Sequence, residues 1–163
     1  MMASDWLEVN MELSHVGKQG EARMVDVGGK EVVHREAVAS GCIYLEPETI
    51  ALIRDNQIKK GDVLAAARLA GIMGAKKTFE LIPLCHNIPI SSIEVWFDIQ
   101  EERIHIRSKA VCEAKTGIEM EALTAVSIAA LTVYDMCKAV DKGMRISEIK
   151  LEEKRKGERG AVR

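Results

Sequence analysis

The chain has 163 residues, of which 47% are hydrophobic and 29% charged, with 4% aromatics and a formal net charge of −2. This balance fits one globular domain with a real core and excludes a broad nucleic-acid surface built from basic patches and stacking rings, while leaving room for a nucleotide-sized anion. The four cysteines, Cys42, Cys85, Cys112 and Cys137, form no CxxC pair, so neither a zinc knuckle nor a redox dithiol is indicated and reduced packing thiols are expected.

The first residues, MMASDWLEVNMELSH, carry Asp5, Glu8 and Glu12 and lack a basic start followed by an apolar run, so they do not read as a signal peptide and a cytoplasmic protein is expected. Residues 1–20 have no sustained period and end in Gly17, Lys18, Gln19 and Gly20. They are expected to be a flexible segment before a single domain at 21–156, with a flexible tail at 157–163. Gly28 and Gly29 mark a turn, and the run from Val32 to Leu45, in which Arg35, Ala37 and Ala39 alternate with Glu36, Val38 and Ser40, predicts a strand. The planar fork of Arg35 would suit phosphate, although a solvated strand arginine is the commoner case.

Pro47 with residues 48–55 predicts a short helix, and Lys59 to Thr78 predicts a second one, capped by Asp62 and rich in Ala and Gly that permit close helix packing. Its GIMGAKKT resembles a phosphate loop only briefly. Ala75 stands where the glycine before lysine should be, and the run lies inside a helix, which excludes a Walker-type NTPase. Lys60 sits just before the helix N-terminus, where backbone amides favour anions; it is either a solvated lysine or one that meets a phosphate or serves as an acid. In LIPLCHNIPISS, Pro83 and Pro89 make a rigid loop around Leu84, Cys85 and His86. His15 and His34 have no organised sequence context and His105 falls within a strand pattern, which leaves His86 as the histidine placed like a functional group.

Residues 90–100 and 103–112 predict a hairpin. The stretch from Lys115 to Lys142 then reads as one long helix, with Thr116 and Glu119 at capping-box spacing and apolar residues over nearly the whole circumference of 120–140, which indicates burial on most sides. Its charge-free run from Ala122 to Tyr134 is shorter than the roughly 20 residues of a membrane span. At about 100° per residue, Glu121, Thr124, Ser127, Asp135 and Lys138 fall on one third of the helix. Asp135 and Lys138, three apart, need each other or a ligand, and a structural ion pair and a catalytic pair are equally open. Glu121 lies on the order of 20 Å from Asp135 along the helix, so one small-molecule site could use both only across two subunits. Gly143 ends the helix and MRISEIKLEEK supplies a last strand, from which Lys154 and Lys156 could reach a phosphate-bearing ligand. The order of elements is that of a ferredoxin-like βαββαβ sandwich of class α+β, an antiparallel sheet covered by helices.

MVDVGGKE with its following HREA, KKGDVLAAARLAGI, LIPLCHNIPIS and KTGIEMEALTAVSIAALTVYDMCKAV together resemble the MoaC family of molybdenum cofactor biosynthesis, the cyclic pyranopterin monophosphate synthases. The resemblance implies a lyase-type enzyme, acting after a radical-SAM partner, that converts 3′,8-cyclo-7,8-dihydro-GTP into cyclic pyranopterin monophosphate and pyrophosphate, with no metal and no cofactor in this step. It also implies a homohexamer built as a trimer of dimers, with sites at the dimer interface. Motif by motif it makes Leu84, Cys85, His86, Met120 and Glu121 substrate contacts and Asp135 the catalytic aspartate beside Lys138, with Lys60, Arg35, Glu119 and Lys154 lining the pocket. A lysine among several cations in a partly dry pocket falls toward neutral pKa, so Lys138 and Lys60 are expected to carry acid–base work held by Asp135. Arg35 and Lys154 would neutralise phosphates, and His86 and Glu121 would orient base and sugar. The rival reading is a non-catalytic ferredoxin-like module that binds a purine nucleotide.

Overall fold

The computed structural model describes residues 15–17 and 19–157. Strand β1 (Val33–Tyr44) is followed by helices α1 (Pro47–Arg54), α2 (Val63–Lys76) and the single turn α3 (Thr78–Leu81). Strands β2 (Ile90–Ile99) and β3 (Arg103–Ala114), helix α4 (Glu119–Cys137) and strand β4 (Arg145–Gly157) complete the chain. The strands lie in the order β2-β3-β1-β4 with every neighbouring pair antiparallel, as in the expected ferredoxin-like sandwich. Most of the predicted flexible segments lie outside the described residues. Of the rest, Val16 bridges to Ala22, and Gly157, predicted to begin the tail, still pairs with His34.

The period-2 pattern of β1 and β3 builds a one-sided core. Ala37, Ala39, Ile43, Ile104, Ile106 and Ala110 are at most 1% exposed under the helices. The small residues allow α4 to lie close: a Cβ on Gly41 would come within 2.8 Å of Val126 Cγ1, and one on Gly71 of α2 within 2.8 Å of the Ala125 carbonyl oxygen. Ser108 Oγ of β3 donates to the Ala122 carbonyl at 2.7 Å, a buried hydrogen bond that fixes the rotation of α4 over the sheet. The opposite sheet face is polar. There His34, which sequence context left unexplained, lies 2.7 Å from Glu113 and 3.0 Å from Glu36, and Glu36 pairs with Lys109 at 3.0 Å. The bonds to Glu36 and then Glu113 raise the His34 pKa.

Asp62 caps α2 by accepting from the Ala65 N–H at 2.9 Å, and Pro47 opens α1, both as expected. The start of α4 is a correction. Its N-cap is Ile118 with no side-chain cap bond, so the Thr116–Glu119 capping box does not form; residues 115–118 are spent on the turn from β3, and Glu119 is drawn to Lys154 instead. The helix also ends at Cys137, before Gly143, because the chain then turns back and Asp141, 2% exposed, accepts from the Glu46 and Gly143 N–H groups. Nor is α4 buried nearly all round: Met120, Leu131 and Tyr134 are exposed along one flank. By length and composition it would suffice to cross a membrane, but about half of it is buried inside the fold, as in the core helix of a sandwich.

Among the described glycines, Gly71 at the seam between α2 and α4 is the one whose added Cβ would come closest to a backbone atom. Gly71→Ala should lower stability by about 1–3 kcal/mol, because the carbonyl it meets cannot swing away as a side chain would. Gly29→Ala, built into open space, is the control, and a urea midpoint that falls for the first variant alone checks the expectation.

Candidate functional site

At the N-terminal end of α4 a cleft of about 440 Å³ opens chiefly between three pieces of chain. Loop 82–89, which Pro83 and Pro89 keep out of helix, contributes Leu84, Cys85 and His86; α4 contributes Glu119, Met120 and Glu121. The third piece, 25–30, supplies Val25, Val27 and Lys30. His86 Nε2 lies 2.7 Å from the Val25 carbonyl. A carbonyl only accepts, so this ring nitrogen carries a proton and pins the third piece across the cleft. Lys115 Nζ adds a second pin by donating to the Gly28 carbonyl at 2.6 Å.

Two glutamates of α4 meet opposite environments in this cleft. Glu119 pairs with Lys154 of β4. Glu121 is 3% exposed, and its Oε2 has no hydrogen-bond partner among the described residues. Burial raises its pKa from 4.5 to about 7, outweighing its own backbone N–H, and the charge of Glu119 adds to the rise. The thiols of Cys85 and Cys112 are pushed up as well, first by burial and then by the nearby Glu121 charge, Cys112 to about 11. Both stay protonated at neutral pH.

A second cluster occupies the other end of the same helix. Asp135 Oδ1 lies 2.7 Å from Lys138 Nζ, and Oδ2 lies 2.9 Å from Lys60 Nζ, which also donates to the Asp135 carbonyl at 2.9 Å. Gly61, at φ +106, supplies the left-handed turn between Lys60 and the Asp62 cap. Lys138 first and Lys60 second hold the Asp135 carboxyl down at about 2, and Asp135 raises Lys138 in return. The expected drop of a lysine toward neutrality is therefore reversed for Lys138. The reason is solvent: the Lys138 and Asp135 side chains are 56% and 57% exposed, so no dry pocket penalises the charge, and the partner carboxylate favours it.

Of the residues singled out in the sequence, the fold brings six into one cleft, with Lys154 held at it through Glu119. Lys60, Asp135 and Lys138 gather about 20 Å away along α4. Arg35 stands in neither group. It is buried, its Nε donates to the Ala114 carbonyl at 3.0 Å and its Nη2 to that of Lys115 at 3.1 Å, so it anchors the turn whose Thr116 and Gly117 line the cleft. Lys30 and His15 are cleft residues that sequence reasoning passed over. Lys30 was marked only by its place after the Gly28–Gly29 turn. His15 had no local signal, since what places it is the pairing of its neighbourhood with residues 22 and 23.

The MoaC family model matches residues 24–157. The chain is 59% identical over 150 residues to a cyclic pyranopterin monophosphate synthase of Peptoclostridium acidaminophilum, covering 92% of this chain and 96% of that protein. It is 57% identical over 155 residues to the protein of the same name from Chloroflexus aurantiacus, covering 94% and 95%. It is also 52% identical to a molybdenum cofactor biosynthesis bifunctional protein of Chlorobaculum tepidum, over 93% of this chain and 49% of that one.

Burying Glu121 makes stability depend on pH. Because the folded pKa is raised to about 7 from 4.5, the native state is unpenalised below the unfolded value and loses stability as pH rises through the folded one. Glu121→Gln, which carries no charge to bury, should match the parent near pH 4 and exceed it by about 3 kcal/mol above pH 8. Denaturant titrations of both proteins across that range check it.

Proposed function

The chain belongs to the MoaC family, and we propose that it catalyses the reaction for which its near full-length relatives are named, the synthesis of cyclic pyranopterin monophosphate in molybdenum cofactor biosynthesis. The substrate on this reading is 3′,8-cyclo-7,8-dihydro-GTP, delivered in the cytosol by an upstream radical-SAM enzyme, and the second product is pyrophosphate. The observation that carries the reading is the match to synthases at 57–59% identity over more than nine tenths of both chains. The geometry supports it: the cleft offers a buried carboxyl, two thiols nearby and a pinned histidine for a ring system, while cations for phosphates stand on β4 and at the far end of α4.

The working site is shared between two protomers of a homohexamer arranged as a trimer of dimers. Support comes from the separation of the two clusters by about 20 Å on one rigid helix, too far for one small molecule to use both within a protomer. It comes also from the exposure of the Lys60–Asp135–Lys138 group, which has no walls of its own. Seating this group against a partner's cleft would exclude water, weaken the preference for charged lysine and make its field on a triphosphate stronger. Lys60 and Lys138 would then exchange protons with the substrate, Asp135 would hold them, and pyrophosphate would leave against neutralising cations, Lys154 among them. Arg35 contributes by setting the turn that walls the cleft.

Purified protein incubated with the cyclised dihydro-GTP should release pyrophosphate and form a pterin, both read by mass spectrometry. A ligand that is held and returned unchanged would favour the non-catalytic binding module. Asp135→Asn or Lys138→Ala should leave the circular dichroism of the protein intact and lower turnover at least 100-fold, the scale on which positioned acid–base groups act. Mixing Glu121→Ala with Lys138→Ala subunits should restore part of the activity, since some mixed interfaces regain one intact site; verified subunit exchange without recovery would overturn the shared site.

A further inference from the structure

We propose that Glu121 is a catalytic acid: its carboxyl is held protonated in the cleft, and its Oε2 proton passes to a ring nitrogen of the substrate as the purine-derived ring opens. This goes beyond orienting the substrate, and it rests on the synthase reading above. Glu121 lines the cleft yet is 3% exposed, and Oε2 meets no donor or acceptor among the described residues. A carboxylate left so would be a buried unpaired charge; a carboxylic acid is a neutral group with one O–H to give.

The titratable and charged groups around the cleft leave it in that state, since the one charge that acts on it is that of Glu119. On its own helix Glu119 is acidic, and Lys154 of β4 is engaged by Glu119. Arg35 of β1 spends two donors on the carbonyls of residues 114 and 115. Cys112 of β3 and Cys85 of the loop are thiols kept protonated by burial, and His86 donates its Nε2–H in a hydrogen bond to the Val25 carbonyl. Lys30 and His15, on the remaining wall, complete the set. Burial carries the Glu121 pKa to about 7, where a proton can be both given and retaken at neutral pH.

The step balances within the cleft. As one carbon–nitrogen bond of the saturated carbon between two ring nitrogens breaks, its electron pair goes to the departing nitrogen, which takes the Oε2 proton, while the lone pair of the other nitrogen closes a carbon–nitrogen double bond, and Glu121 is left as carboxylate. When a nitrogen adds to a carbonyl carbon to close the new ring, the carbonyl π pair moves onto oxygen, which takes a proton from water, and the proton lost by the adding nitrogen restores the acid. The exposed lysines are thereby free to serve the phosphates, and the two halves of the reaction draw on different ends of α4.

Two measurements decide it. Infrared difference spectra of the parent against Glu121→Gln at about pH 6 should show the C=O stretch of a protonated carboxyl that vanishes as pH rises through about 7; its absence at pH 6 overturns the proposal whatever the activity. In turnover, Glu121→Gln should lose about 100-fold or more in kcat with KM changed less than threefold, and with it the alkaline limb of the parent's pH profile. A variant that raises KM while keeping kcat and the limb would make Glu121 an orienting group and defeat the proposal. Parent protein that leaves the substrate unchanged would instead defeat the synthase reading, and the two failures are told apart by the infrared band.

Discussion

The close seating of α4 on β1 and α2 is the constraint from which the rest follows. Where Gly41 meets Val126 and Gly71 meets the Ala125 carbonyl there is no room for a methyl group, and Ser108 ties the Ala122 carbonyl from the sheet side. A helix held this way cannot roll. One residue of rotation, about 100°, would replace the buried Glu121 by Met120 or Ala122 and destroy the contrast between its two ends.

That contrast is electrostatic, and burial makes it. At the closed end the loop, the 25–30 piece and the turn after β3 wall off a carboxyl whose charge solvent no longer supports, so Glu121 rises toward neutrality. At the open end water and two lysines surround Asp135, which falls far below the ordinary carboxylate range. One helix thus carries an acid that keeps its proton and an aspartate that does not, set by environment rather than by residue type. On the proposed reading the reaction handles both a ring system and a triphosphate and so needs both kinds of group, which is the chemical argument for the proposed joining of the two ends across protomers.

Much of the architecture was legible along the chain. Alternation marked β1 and the β2–β3 hairpin, Asp62 and Pro47 marked helix starts, and the element order named the sandwich. The failures were at helix ends. Thr116 and Glu119 had the spacing of a capping box, yet Lys154, thirty-five residues further along, took the glutamate. Local spacing predicts local bonds, and a cation delivered by a sheet neighbour can outbid them.

The candidate site divides in the same way. The chemical types and their order along α4, the rigid LCH loop and the distance between Glu121 and Asp135 were determined by the sequence itself, because helix pitch and proline geometry are local properties. Only the tertiary structure decided which of these groups is dry and which is wet: that Glu121 is buried without a partner, that Lys138 is pushed up and not down, that Arg35 serves backbone carbonyls, and that His15 and Lys30 join the cleft. Desolvation depends on what other segments bring to a side chain, and no window of sequence around that side chain contains them.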